Sequence, residues 1–312
     1  MSDEEGLEEG IIRNVATLDL TTVSSAEELS RIKGIRNVAV IYVPESLAGA
    51  LAAIPQRNVA NVVPVPNGAR INSRVGVVTM DGAALAAKTE VPTVLALTGA
   101  LVITSPVERV GYHSIIVVGV VVAPEGSQAV LSVALRQVVG TVNYYPWAEG
   151  QSVRVFQGDR RARGEVLANP GGRPNDIALV AGTLVVTSPV PSVGFQQVVV
   201  VGALIAPEAS EDLLSPVLHL VGDAVWYSAP PRLFTGTDRF GAAFFELLDG
   251  PVTLVLNGTF ELEPDVPREI VRERVAAIAL NGVLKAAPAM VPLLQVLTIQ
   301  KNGVLEALDE AR

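Results

Sequence analysis

The stretch TGALVITSPVERVGYHSIIVVGVVVAPE (98–125) returns as AGTLVVTSPVPSVGFQQVVVVGALIAPE (181–208). Gly99, Gly111 and Gly119 match Gly182, Gly194 and Gly202, each 83 positions on, and Pro124-Glu125 matches Pro207-Glu208. The match continues as VVGTVNYYP (138–146) against LVGDAVWYS (220–228). A more divergent copy follows in LVLNGTFELEPDV (254–266), AIALNGVLKAAP (277–288) and TIQKNGVLEAL (298–308). A partial copy precedes them at 38–66, with Pro44-Glu45 in the place of the later Pro-Glu pairs. Inside each copy the glycines keep a shorter beat. Gly99, Gly119 and Gly140, then Gly182, Gly202 and Gly222, then Gly258, Gly282 and Gly303 fall 20 to 24 residues apart. A period of roughly 20–29 residues marks a chain whose units each form one layer and hide their apolar side only against the layers above and below.

Each unit reads alike. A short Val/Ile/Leu run carries a glycine near its middle, as in VVVVGALIAP (198–207), and is a strand by its β-branched content and length. The glycine marks a bend or a close approach of two backbones. Pro-Glu then opens a segment of helical spacing in PEASEDLLSPVL (207–218) and PESLAGALAAI (44–54). Proline suits the first helical turn and glutamate the positive end of the helix dipole. PREIVRERVAAIAL (267–280) would put Ile270, Val271, Val275 and Ile278 on one helical face. SPVERVGYHSI (105–115) and SPVPSVGFQQV (188–198) read as tight turns instead.

The expected fold class is a β-rich α/β solenoid. Layers of about twenty residues would stack with a parallel sheet on one wall and short helices on part of the opposite wall. The expected organisation is an acidic tail and cap over 1–30, repeats over 31–305 in blocks of 31–69, 70–151, 152–231 and 232–305, and a C-terminal cap over 306–312, EALDEAR, read as a capping helix. If the linkers 151–176 and 232–250 complete layers of their own, the pile is one continuous rod; otherwise they are hinges.

Composition narrows the function. The chain is 49% apolar but only 4% aromatic, so its core is Val, Leu, Ile and Ala, which suits many thin, similar layers. A net charge of −9 argues against nucleic acid or anionic lipid as a partner. With no cysteine there is neither a disulfide framework nor a thiolate metal site. MSDEEGLEEG (1–10) lacks the basic start and apolar centre of a secretory signal. The longest apolar runs reach about half of the ~20 residues of a membrane helix. A soluble, cytoplasmic protein with no membrane span is expected.

No GxSxG, HExxH, phosphate-loop or calcium-loop pattern occurs, and His113 and His219 stand alone on apolar layers. No catalytic residue, cofactor or metal ligand is therefore assigned. Two features suggest a surface. Arg154, Arg160, Arg161 and Arg163, with Arg173 nearby, cluster in an acidic chain, and RVFQGDR (154–160) is echoed by RLFTGTDR (232–239). Asp-Arg pairs within each turn would neutralise one another; the other reading is an anion or partner surface. Tyr144, Tyr145 and Trp147 correspond to Trp226 and Tyr227 in the next copy. Such rings either pack over strand ends or form a docking stripe, since Trp and Tyr are favoured at interfaces.

LLQVLTIQKNGVL (293–305) resembles the leucine-rich-repeat consensus, with Leu294, Leu297 and Ile299 at its buried positions and Asn302 near its Asn; REIVRERVAAIALNGVL (268–284) shares the pattern. The Asn-Gly-x-Leu layers and short Val-rich strands also resemble polymer-forming bacterial β-helix proteins of the bactofilin kind. The resemblances imply a solenoid. The expected function is a non-enzymatic structural or scaffolding solenoid that self-associates or docks a protein partner. One alternative is a carbohydrate-active or ligand-binding β-helix enzyme, which would need carboxylates such as Asp159, Glu165 and Asp176 in one cleft. Another is a leucine-rich-repeat-like peptide-binding domain.

Overall fold

The computed structural model describes residues 10–308. It is a β-rich fold of several parallel sheets with short helices between strands, and it divides into two compact units, Met1–Pro146 and Trp147–Arg312. In the first unit, β1 (Ile11–Asp19), β2 (Gly34–Pro44) and β3 (Gln56–Val65) form one sheet. A second sheet holds β4 (Arg70–Met80), β5 (Thr93–Ile103), β6 (Ser114–Pro124) and β7 (Leu135–Tyr145).

The second unit opens with four runs, each broken in two near a glycine. They are β8 (Val153–Gln157) with β9 (Arg160–Ala162), β10 (Ile177–Ala181) with β11 (Thr183–Val186), β12 (Gln197–Val200) with β13 (Ala203–Pro207), and β14 (Leu218–Leu220) with β15 (Asp223–Tyr227). The first halves pair in the order β14-β12-β10-β8 and the second halves as β15-β13-β11-β9. A last sheet runs β16 (Pro231–Phe240), β17 (Val252–Leu262), β18 (Val275–Ala286) and β19 (Thr298–Ala307). Every pairing is parallel, and neighbours in a sheet follow one another through the repeat.

The repeating glycines lie in register. Gly76, Gly99, Gly119 and Gly140 are direct partners across β4–β7, as are Gly236, Gly258, Gly282 and Gly303 across β16–β19. Gly119 has φ +136°, and a β-carbon built on it would lie 1.9 Å from the Gly99 carbonyl oxygen. Neither the dihedral nor the space admits another residue. The spacing of about twenty is the length of chain needed to bring the next glycine over the last.

Interior strands are buried on both faces, which is why they read as unbroken apolar runs. In the first unit Leu95, Leu97, Leu101 and Ile103 of β5 pack with Leu85, Val107 and Leu131 of the connecting segments. The alternate residues Val94 and Ala96, with Ile116 of β6, meet Val40, Tyr42, Val63 and Val65 of the first sheet. In the second unit Val185, Ile205 and Val225 meet Val255 and Ala279 in the same manner. Each Val, Leu or Ile side chain among them contributes roughly 1.5–3 kcal/mol on burial.

Serines tie the connecting segments together. Gly82 N donates to Ser105 Oγ (2.9 Å) and Val107 N to the buried Ser127 Oγ (3.0 Å). In the second copy Gly164 N donates to Ser188 Oγ and Val190 N to the buried Ser210 Oγ, both at 2.9 Å. An otherwise orphaned buried N–H is thus satisfied at the same place twice.

Several expectations change. The helix opened by Pro267 covers only Arg268–Arg274; Val275 and Ile278 are buried from β18, because that stretch supplies the backbone ladder to β17. Ile299, expected inside by the leucine-rich pattern, lies on the edge strand β19 and is 52% exposed. The segments 151–176 and 232–250 do carry strands, but these open new sheets instead of extending the previous one. β1 begins at Ile11, inside the stretch expected as tail and cap, and Glu306 and Ala307 belong to β19. The remainder of the two expected ends, 1–9 and 309–312, lies outside the described residues.

Candidate functional site

The arginine cluster of the second unit lies on sheet edges. Arg154 is on β8 and Arg160 and Arg161 on β9, the first strands of their sheets, and Arg163 immediately precedes the 3-10 turn Gly164–Ala168. Arg154 Cζ sits 5.7 Å from the ring centre of Phe156, and its Nη1 donates weakly to Asn169 Oδ1 at 3.4 Å. Arg160 Nε donates to the Gln157 carbonyl (3.0 Å), and Arg161 and Arg163 are exposed. The expected Asp-Arg neutralisation within the turn is not the pairing found in the echo either. Asp238 accepts from the Arg239 backbone N–H, and the Arg239 side chain turns to Glu261 on the next strand, 3.7 Å away. Phe156 and Phe234 belong to the cores of their own blocks. Cationic side chains on an edge strand discourage pairing with arbitrary chains.

The aromatic residues are divided by burial. Tyr145 is fully buried and donates to the Ile103 carbonyl (2.8 Å); Tyr227 is buried and donates to the Val186 carbonyl (2.6 Å). Neither is available as an interaction surface, because packing hides the ring and a carbonyl takes the hydroxyl. Tyr144 and Trp226 are half-buried against the cores of their blocks, and Trp147 is half-buried.

The carboxylates named for an enzyme have other work. Asp176 accepts from Ser152 Oγ (2.6 Å), Arg173 N (2.8 Å) and Asn169 Nδ2 (3.2 Å), closing the loop 169–176. Those hydrogen bonds, from Ser152 first and then Arg173 and Asn169, hold its carboxyl below the usual range. Asp159 and Glu165 are exposed, as is His113, while His219 is half-buried on β14. Among the described residues, no group of three His, Asp or Glu is placed to hold a metal ion.

A different cluster emerges in the first unit. Arg13, Arg36 and Arg57 are register partners on β1, β2 and β3. Each precedes an asparagine in the left-handed region, Asn14, Asn37 and Asn58, with φ of 59°, 54° and 54°. Asn is among the few residues that tolerate this conformation. The amides form a chain: Asn58 Nδ2 donates to Asn37 Oδ1 (2.9 Å) and Asn37 Nδ2 to Asn14 Oδ1 (2.8 Å). These six residues line a cleft of about 540 Å³ and all are exposed. The signal was present as Arg-Asn-Val at 13–15, 36–38 and 57–59, but β1 fell in the stretch assigned to the tail, so the triplication was hidden.

No helix among the described residues is long and apolar enough to cross a membrane. Compared with known proteins, the chain matches no family model, no curated protein and no solved structure.

Proposed function

We propose that this chain is a non-enzymatic scaffold, a series of short solenoid blocks, that joins head to tail with further copies of itself through the β16–β19 sheet. The observation that carries this reading is that the two edges of that sheet match one another. Arg239, Glu261, Lys285 and Glu306 are consecutive register partners, so the charges alternate across the sheet, starting positive at one edge and ending negative at the other. Inside the sheet the alternation is realised as Arg239–Glu261 at 3.7 Å and Lys285–Glu306 at 3.4 Å.

The glycine column adds a steric key. A β-carbon on Gly258, Gly282 or Gly303 would lie 1.9, 2.0 or 1.8 Å from the carbonyl oxygen of the preceding glycine, so a strand laid on β19 must offer glycine opposite Gly303. Gly236 of β16 is such a residue, with nothing within 4 Å of the position its β-carbon would take. Gly303↔Gly236 pairing of two copies would place Glu306 beside Arg239. Gly236, Thr237, Asp238 and Arg239 are exposed on one edge, and Lys301, Asn302, Val304 and Glu306 on the other. Unpaired strand edges recruit other strands, and a head-to-tail contact makes rings or filaments. The likeness to polymer-forming proteins of the bactofilin kind fits this reading in texture.

Light scattering after size exclusion should show mass rising with concentration through the micromolar range. Glu306→Arg and Arg239→Glu should each reduce association, and an equal mixture of the two variants should recover it, because alternating copies meet through the reversed pair at one junction and through native Glu306 and Arg239 at the next. A wild-type chain that stays monomeric throughout, or variants that associate as well as wild type, would remove the proposal.

A further inference from the structure

The corner at the start of β5 differs between the two copies of the repeat. The His113 backbone N–H donates to the Thr93 carbonyl just as the Gln196 N–H donates to that of Asp176, so Thr93 and Asp176 hold equivalent places, and both are buried. In the second copy Asp176 brings a carboxylate to this corner, and Ser152, just before β8, serves it with a 2.6 Å hydrogen bond. In the first copy Thr93 spends its hydroxyl on the Val91 carbonyl (2.9 Å), and Arg70, its register partner on β4, stands in the place of Ser152. The connection from Leu85 to Thr93 is also one residue shorter than that from Leu167 to Asp176. The first copy has a cleft here of about 490 Å³, with Arg70, Ile71, Glu90, Val91 and Tyr112 in its lining. A cation thus stands where the other copy keeps a donor for a carboxylate, and the carboxylate's own position holds a hydroxyl.

Arg70 and Glu90 are exposed in this one cleft, yet they form no ion pair with each other or with any other described residue. The Tyr112 ring is half-buried against the core, in the place of buried Phe195, and its hydroxyl has no partner among the described residues. We infer that this cleft binds a free α-amino acid with an apolar side chain. The ligand's carboxylate meets the Arg70 guanidinium, whose N–H groups match two oxygens at once. Its ammonium meets Glu90, and its side chain lies against Ile71, Val91 and the Tyr112 ring. A simple carboxylic acid would leave Glu90 facing no positive group, and a dianion would be repelled by it. The volume falls within the roughly 300–1,000 Å³ of small-molecule sites. Binding here is independent of strand-edge association, since the cleft belongs to the β4–β7 sheet.

The test is titration calorimetry of the full-length protein with L-leucine. The rival probes are 4-methylpentanoate, which lacks the ammonium, and 3-methylbutylamine, which lacks the carboxylate. L-Leucine should bind with a Kd below about 1 mM, and each rival at least about tenfold more weakly. Arg70→Gln should weaken L-leucine at least about tenfold. Glu90→Gln should weaken it by a similar factor while leaving 4-methylpentanoate no weaker, and Arg160→Gln in the other unit should change neither. Arg70 and Glu90 are exposed and form no ion pair, so both variants should melt as wild type does. The inference is overturned if L-leucine shows no binding up to about 10 mM, if the two cleft variants bind it as well as wild type, or if Arg70→Gln melts well below wild type. Wild-type binding of either rival as tight as that of L-leucine would overturn the amino-acid assignment.

Discussion

The Tyr145 hydroxyl donates a 2.8 Å hydrogen bond to the carbonyl oxygen of Ile103, two strands back in the same sheet, and Tyr227 repeats the contact with Val186 at 2.6 Å. Each ring spans one intervening strand, so a single side chain clamps three layers. The duplication that copied the strands copied the clamp with them.

Tyr145→Phe should lower unfolding free energy by about 1 kcal/mol, with a similar effect for Tyr227→Phe, read from the urea midpoint. Burial pushes both phenols up, and burial with the Asp19 charge pushes Tyr42 up to about 12. A folded value above the unfolded one of about 10 means that the stabilisation is complete below pH 10 and declines as pH rises beyond it. Melting temperature should therefore fall above pH 10, and less steeply in the Phe variants.

The glycine column makes a comparison within one sheet. Gly119→Ala meets a backbone carbonyl and should cost about 3 kcal/mol or more. Gly76→Ala keeps the dihedral strain, at φ +93°, but points into open space and should cost about 1–2 kcal/mol. Equal costs in denaturant unfolding would show that strain alone, not stacking, selects glycine.

Asp176 predicts the acid limb. Its carboxyl is held low by Ser152, Arg173 and Asn169, so its contribution is present above about pH 4, the unfolded value, and is lost as pH falls through the lower folded one. Asp176→Asn should be less stable at pH 7 and should show a flatter melting curve between pH 5 and pH 3. An unchanged acid slope in the variant would rule this carboxylate out as its source.

Much of the fold was legible because the repeat is local. Gly99, Gly119 and Gly140 could be paired on paper, and the turns at 105–113 and 188–196 recognised, since spacing, chain geometry and absent side chains decide them. The helix at 267–280 was overextended because apolar residues after Arg274 satisfy a helical face and a strand face equally well until a neighbouring strand claims their backbone. The candidate sites were less legible. Tyr145 and Tyr144 are adjacent and chemically alike, yet one is buried and the other half-buried, a difference only packing makes. Arg36 is unremarkable until β1 and β3 place Arg13 and Arg57 beside it.

By itself, the order of residues determined that most of this chain would be built from short, glycine-centred strands laid in parallel, because a glycine recurring every twenty or so residues sets the length of each layer and stands where a β-carbon would strike the backbone of the layer before. The tertiary structure decided where each ladder stops and which faces meet. Val40 and Val94, or Val185 and Val255, are interchangeable as letters. Burial is non-directional, so their choice of partner is settled only when whole sheets pack face to face.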